Sequence, residues 1–145
     1  MNITSTLTPQ FLEKNNFTVL INKEWQISKG RHQVKSLAMA LGYNINSTAE
    51  LVTSMSELCY NLFFHANNGG EITVSVIESF NKTGIRLVSS DKGPGIACIA
   101  NALQDGYSTN GGLGGGLPGT KRLMDEFSIA STSDGTLITC VKWQS

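Results

Sequence analysis

One glycine-rich stretch sets the expectations for this chain: Ser108-Thr109-Asn110-Gly111-Gly112-Leu113-Gly114-Gly115-Gly116-Leu117-Pro118-Gly119-Thr120-Lys121-Arg122. Six of the nine residues from Gly111 to Gly119 are glycine. Ordering glycine costs more chain entropy than ordering any other residue, so the run is a poor core but lets backbone N–H groups approach a ligand closely. The following residues, Leu117 to Phe127, predict a helix with Pro118 in its first turn. A glycine run that leads into a helix N-terminus is typical of a phosphate site.

Other interpretations of the same stretch are weaker. Gly114-x-Gly116-x-x-Gly119 satisfies the dinucleotide GxGxxG pattern, but that pattern needs a strand directly before it, and residues 104–110 are polar. A P-loop would need a Gly-Lys pair followed by Ser or Thr, which the sequence lacks. A flexible linker is the remaining alternative, and Leu113 and Leu117 inside the run count against it.

The composition predicts a soluble cytoplasmic protein of one domain. The chain has 145 residues, is 40% hydrophobic and 15% charged, and has a formal net charge of zero. A neutral chain offers no electrostatic footprint for nucleic acid or an acidic membrane, so neither is expected as a partner. Cys59, Cys98 and Cys140 are odd in number and widely spaced, which argues against a disulfide framework or a zinc site. The sequence contains neither a signal-peptide pattern nor a bilayer-spanning apolar run.

The hydrophobic pattern predicts a strand, two helices, two strands, a helix and two strands, in one domain over residues 1–145 with residues 1–15 as a flexible tail. This order favours an α+β fold, a two-layer sandwich in which a mixed, mostly antiparallel sheet of about five strands carries helices on one face. A capping box at residues 47–50 should begin the second helix, and Gly42 should end the first. The expected strands are 17–21, 71–78, 85–89, 127–132 and 136–143, and the expected helices are 24–41, 47–66, a short one near 98–103, and 117–126.

The predicted second helix has an unusual polar face. Its apolar residues fall on one broad side at spacings of three and four. The other side combines a single carboxylate, Glu57, with uncharged polar and aromatic groups, whereas a solvated helix face is normally rich in Lys and Glu. We therefore expect something polar, such as a ligand, to cover this face. Its members are Thr53, Ser54, Glu57, Tyr60, Asn61, Phe64 and His65.

Glu57 and Asn61 stand four residues apart on this face and are candidates for chemistry. A carboxylate can orient an attacking hydroxyl and accept its proton. A carboxamide oxygen can ligate Mg²⁺, a hard ion that completes its shell with water and phosphate oxygens. Taken alone, the two residues favour an ordinary Glu–Asn pair at a helix surface.

Asp91-x-Gly93-x-Gly95 follows a predicted strand and is a second candidate element. An ionised Asp only accepts hydrogen bonds, so a buried Asp would bind a hydrogen-bond donor such as the adenine amino group. The two glycines would let the chain lie close to a flat ring. The alternative is a plain Gly-Pro-Gly turn, since Pro94 stands between them.

Taken in order, these three elements resemble the GHKL ATPase superfamily with its Bergerat fold. The resemblance implies an N box at Glu57 and Asn61, a first glycine box at Asp91, Gly93 and Gly95, and a second glycine box. The second box would comprise Gly112, Gly114 and Gly116. Within the superfamily, residues 105–127 resemble the RsbT-type serine/threonine kinases of the stressosome, as do Glu24-Trp25 and Arg31 in the first helix and Val141-Lys142-Trp143 in the last strand.

The resemblance implies transfer of a phosphoryl group from ATP to a Ser or Thr hydroxyl. It implies Glu57 as the catalytic residue, Asn61 as the Mg²⁺ ligand, Asp91 as the adenine contact and the glycine amides as the phosphate cradle. Lys121 is a candidate phosphate contact, with a solvated helix lysine as the alternative. The implied cofactors are ATP and Mg²⁺.

The resemblance also implies protein partners. The acceptors would be STAS-domain scaffold or antagonist proteins of the RsbS/RsbR kind, and the released kinase would then activate a PP2C-type phosphatase of the RsbU kind. The alternative function is a nucleotide-gated binding protein similar to the anti-sigma factors, whose output is protein contact.

Overall fold

An antiparallel five-stranded sheet carries the helices in the computed structural model, which describes residues 12–66, 69–92 and 116–145. The sheet order is β1-β2-β3-β5-β4, and every pairing among these strands is antiparallel. The predicted α+β class is confirmed, whereas the mixed character expected of the sheet is not seen in the described strands. The elements are β1 (Leu12–Ile21), α1 (Glu24–Leu41), α2 (Ile45–His65), β2 (Gly70–Ser79), β3 (Lys82–Asp91), α3 (Gly116–Leu123), β4 (Glu126–Thr132) and β5 (Gly135–Trp143).

The first strand is longer than its apolar pattern suggested. It begins at Leu12, and residues 12–14 of the predicted flexible tail pair with β2, for example Leu12 with Glu78. The register shifts between Lys14 and Phe17, and this irregularity breaks the alternation that a sequence pattern relies on. Residues 1–11 of the predicted tail and the short helix expected near residues 98–103 lie outside the described residues.

Local capping fixes the ends of α1 and the start of α2. Gly42 adopts a left-handed conformation, with φ of 86°, and its N–H donates to the carbonyls of the last turn of α1, as predicted. The second helix begins at Ile45, two residues before the predicted capping box. Its cap is Asn44, whose side-chain oxygen accepts from the Ser47 N–H at 2.7 Å and so satisfies a first-turn donor.

The third described helix is shorter than predicted, since α3 ends at Leu123 rather than near Glu126. The Asp125 N–H donates to the Val141 carbonyl at 2.9 Å, which draws the chain into the sheet as β4. Lys142 Nζ donates to the Leu123 carbonyl at 2.8 Å and so satisfies a helix-end acceptor.

The core lies between one face of the sheet and the helices. Each of the three described helices contributes to it, which places them on the same face, as predicted. Its fully buried large side chains include Ile27, Leu51, Met55, Leu58, Leu62, Ile72, Leu87 and Ile138. Within the described ranges, no helix has the length and apolarity that crossing a bilayer requires.

Candidate functional site

The core face of α2 determines where Glu57 and Asn61 lie. Met55, Leu58 and Leu62 are fully buried, and this fixes the rotation of the helix about its axis. Glu57 keeps only 3% of its accessible surface, while Asn61, one turn further on, is half-buried. Glu side chains are rarely buried to this degree in proteins, so the burial of Glu57 is the least ordinary feature of this helix.

Two hydroxyls are buried in the same segment. Ser54 is fully buried and Ser56 keeps 4% of its surface, and neither Oγ has a hydrogen-bond partner in the part of the chain that the structure describes. Ser54 stands one turn before Glu57, on the face that we predicted to be polar and covered. The sequence pattern identified Ser54 as a member of this face, but it did not indicate how deeply either serine is buried.

The polar face of α2 changes character along its length. Its first half contains the buried side chains of Ser54 and Glu57. Its second half opens to solvent, where Phe64 is 43% exposed and stacks on Tyr60 with ring centroids 5.8 Å apart. The half-buried Asn61 lies between the two parts, one turn from the Glu57 carboxylate.

Asp91 is the last residue of β3 and lies beside the later turns of α2. It pairs with Gly70 on one side and Thr136 on the other. A Cβ added to Gly70 would lie 2.8 Å from Leu62 Cδ2 and 3.1 Å from Asp91 Cβ. The strand end that carries Asp91 therefore abuts the helical turn that contains Asn61 and Leu62. Asp91 also lines an open cavity of about 410 Å³ with Asn22 and the start of β2.

The N-terminus of α3 is buried and built on glycine. Gly116 has a φ of 69°, a conformation that favours glycine, and the fully buried Thr120 donates its hydroxyl proton to the Gly116 carbonyl at 3.3 Å. Leu117 belongs to the same apolar cluster as Leu51 of α2, which fixes this helix end against the core. Lys121 is exposed. The predicted site residues Gly93, Gly95, Gly112 and Gly114 lie outside the described residues.

The donor groups at this end of the molecule suit a cation shared with phosphate oxygens. The described part of the chain contains no group of three or more His, Cys, Asp or Glu side chains able to hold a metal ion by themselves. Asn61 offers a carboxamide oxygen at the boundary between the buried and open parts of α2. Mg²⁺ fits this arrangement because it takes few protein ligands and fills its shell with water and phosphate oxygens.

The cysteines of the described chain are unsuited to nucleophilic chemistry. Burial raises the pKa of the Cys59 thiol from 9.0 to about 12, a shift that Arg31 opposes only partly. Burial likewise raises the pKa of Cys140 to about 12. Because the thiolate is the reactive form, both side chains act as small core residues.

A cluster of charges at the far end of α3 went unpredicted. Lys142 Nζ lies 2.9 Å from Glu50 Oε1 and 3.8 Å from Asp125 Oδ1, in addition to its bond with the Leu123 carbonyl. It therefore joins β5 to the first turns of α2 and to the end of α3. These residues lie far apart in the chain, so no local pattern could have brought them together.

Comparisons with known proteins identify the family of this chain. The family model of the histidine kinase-like ATPase domain matches residues 21–142, a range that includes all of the described candidate site residues. The serine/threonine-protein kinase RsbT of Bacillus subtilis is 41% identical over 126 residues, which cover 86% of this chain and 94% of that protein. An anti-sigma F factor of Caldanaerobacter subterraneus subsp. tengcongensis is 31% identical over 140 residues, 91% of this chain and 96% of that protein.

A solved structure supports the fold. A crystal structure of the RsbU and RsbW domains of a Mycobacterium tuberculosis protein superposes with a TM-score of 0.63 at 17% identity. The match covers 90% of this chain but only 33% of that longer chain. At this identity the likeness concerns the architecture alone.

Proposed function

The chain belongs to the histidine kinase-like ATPase domain family and, within it, to the RsbT-type serine/threonine-protein kinases, and we propose that it transfers the γ-phosphoryl group of ATP to a Ser or Thr hydroxyl of a STAS-domain protein. The observation that carries the proposal is the buried carboxylate of Glu57, held one turn from the half-buried Asn61 on a helix against which α3 packs.

The proposed step assigns the proton to Glu57. The acceptor hydroxyl oxygen forms a bond to the γ-phosphorus, while the bond from that phosphorus to the β–γ bridging oxygen breaks and ADP leaves. The hydroxyl proton passes to the Glu57 carboxylate. Phosphoryl transfer needs mainly positioning and charge neutralisation, so a rigid carboxylate on a packed helix is well suited to orient the hydroxyl.

The remaining residues would bind the nucleotide. Asn61 would hold Mg²⁺, which when bound neutralises charge on the phosphates. Asp91, at the strand end beside Leu62, would accept a hydrogen bond from the adenine amino group. The amides of Gly112, Gly114 and Gly116 would cradle the phosphates at the start of α3, and Gly93 and Gly95 would let the chain lie along the ring. Lys121 is the weakest candidate, because an exposed helix lysine is usually solvated.

The test separates chemistry from binding. Purified protein is given [γ-³²P]ATP, Mg²⁺ and a STAS-domain protein encoded beside it, and transfer is followed on gels. Glu57→Gln keeps the shape of the side chain but removes its basicity, so transfer should fall by about 10²- to 10⁴-fold. ATP binding should persist in this variant, because the proposed role of Glu57 is in the chemical step. Binding is measured as a thermal shift, since a ligand at 100 times its Kd stabilises the folded state by about 2.7 kcal/mol. Glu24→Gln, an exposed carboxylate at the start of α1, is the matched control.

Retained transfer in Glu57→Gln would refute the role of Glu57 but not the kinase assignment. Absence of transfer in the wild type, with ATP still bound, would refute the kinase assignment itself. Asn61→Ala should raise the Mg²⁺ concentration needed for half-maximal transfer.

A second candidate function rests on the 31% identity to anti-sigma F factors. In that case the chain would be a nucleotide-gated binding protein. Affinity capture distinguishes the two: recovery of a sigma factor would favour the second function. Recovery of a STAS-domain protein in the ATP state, and of a PP2C-type phosphatase after transfer, would favour the first.

A further inference from the structure

An apolar groove runs between α1 and α2, at the end of these helices away from Asp91. Its volume is about 660 Å³. The later turns of α1, the connecting residue Tyr43 and the early turns of α2 form its walls. Its lining residues are Lys35, Met39, Tyr43, Ile45, Thr48, Ala49, Val52 and Thr53.

The groove exposes side chains that a solvated helix surface rarely carries. Met39 is 62% exposed and Ile45 is 86% exposed, although both are large and apolar. On α2, Ile45, Ala49 and Val52 follow the spacing of a helical stripe that is separate from the core stripe of Met55, Leu58 and Leu62. The two helices therefore present a second apolar seam, on the side away from the sheet, into which a third helix could pack.

The charges beside the groove indicate the chemistry of its occupant. Of the described residues that line it, Lys35 alone is charged. The first helix also carries Lys29 and Arg31, and its only carboxylate, Glu24, lies at the opposite end, while Glu50 of α2 is paired with Lys142. In a chain whose formal net charge is zero, this is a local excess of positive charge. An occupant with carboxylates flanking an apolar stripe would complement it.

We propose that this groove binds an amphipathic helix of a partner protein, one whose apolar face is flanked by Asp and Glu residues. Twelve residues separate Ile45 from Glu57, or about 18 Å along the helix axis at 1.5 Å per residue. The lining of the groove ends at Thr53, about 6 Å from Glu57 along the same axis, so the occupant would lie beside the candidate site. The inference depends on the surface of α1 and α2 and holds whether or not the chain is a kinase.

Site-specific photocrosslinking tests the occupant directly. p-Benzoylphenylalanine is placed at Met39 in the full chain, irradiated in the native cell, and the crosslinked peptide is sequenced by mass spectrometry. The same probe at Phe80, an 86% exposed aromatic residue in the turn between β2 and β3, is the matched control. The expected result is a crosslink from position 39, and not from position 80, to an acidic segment with helical apolar spacing.

The crosslinked segment is then synthesised and its Kd measured. The double variant Met39→Lys/Ile45→Lys should weaken binding at least about tenfold, because it places charges in the apolar centre of the contact. Lys35→Glu should weaken it less, and added salt should do the same. All of these side chains are exposed, so the ATP-induced thermal shift should remain as in the wild type. Crosslinking to a second copy of this chain or to a basic segment, equal crosslinking from Phe80, or no crosslink would overturn the proposal.

Discussion

Replacing Lys142 by Met should lower the free energy of unfolding by about 2 kcal/mol, because the lysine ammonium holds three elements together at one point. Its Nζ donates to the Leu123 carbonyl at 2.8 Å and pairs with Glu50 Oε1 at 2.9 Å. The side chain is only 12% exposed, so its contacts are poorly screened by solvent. Met keeps most of the aliphatic stem and removes the charge.

The magnitude follows from the separate contacts. A hydrogen bond to a charged group contributes about 1.5–3 kcal/mol, and a cation at a helix C-terminus adds about 0.3–1 kcal/mol. The pair with Asp125 adds little, since the atoms are 3.8 Å apart and Asp125 is 43% exposed. Glu50 is 36% exposed and can regain water in the variant, which keeps the loss below that of a buried orphan charge. For a chain of this size, 2 kcal/mol corresponds to a decrease in Tm of about 6 °C.

The assay is thermal and urea unfolding followed by circular dichroism. Lys121→Met, which removes an exposed lysine from the same helix α3, should change Tm by less than about 2 °C. Glu50→Gln and the double variant complete a double-mutant cycle. The sum of the stability losses in the two single variants should exceed the stability loss in the double variant. A Lys142→Met protein as stable as Lys121→Met, or additive losses in the cycle, would refute the reasoning.

Three further predictions concern particular contacts. Gly70→Ala would place a Cβ 2.5 Å from the Ser90 carbonyl oxygen, so it should destabilise the fold by about 2–3 kcal/mol and weaken ATP binding; unaltered melting and Kd would contradict this. Burial raises the pKa of Cys59 and Cys140 from 9.0 to about 12. Between pH 9 and pH 12 the folded state therefore binds more protons than the unfolded state. The free energy of unfolding should therefore be undiminished below pH 9 and fall as pH rises above it, by up to about 1.4 kcal/mol per pH unit for each thiol; a variant with both cysteines replaced by Ala should fall less steeply, and parallel curves would be the contrary result. Tyr43→Phe removes the 2.7 Å hydrogen bond from the phenol to a β5 carbonyl and should cost about 1 kcal/mol in urea unfolding, with equal stability counting against it.

Local signals in the sequence were reliable where the physics is local. The first helix was predicted with its observed bounds, because Gly42 provides a left-handed stop that only nearby residues determine. The start of α2 was missed because two caps compete within four residues, and Asn44 prevails over the capping box at residues 47–50. The succession of strands along the chain was predictable from their alternating apolar residues. The first residues of β1 were not, because the register shift interrupts the alternation there.

The candidate site was indicated by three sequence elements taken in order, not by any one of them. Spacing places Glu57 and Asn61 on one face of α2, and Asp91 ends a strand, as the sequence pattern indicated. Their environments could not be predicted, because contacts between distant segments decide them. The 3% exposure of Glu57 depends on packing around α2, and the nearness of Asp91 to α2 depends on the close approach that Gly70 permits.

The helix α3 connects the candidate site to the opposite end of the molecule. At its start, Gly116 is buried in a conformation that favours glycine, and at its end Lys142 holds the Leu123 carbonyl. The helix has eight residues, too few for stability on its own, so its position depends on these two ends and on Leu117 in the core. A perturbation at Lys142 should therefore reach the phosphate end of the site through a rigid element about 12 Å long. On this reasoning, folded Lys142→Met protein should bind ATP more weakly than the wild type. Tyr43→Phe removes a bond to the Lys142 carbonyl but leaves the ammonium on the Leu123 carbonyl, so it should leave the ATP affinity unchanged.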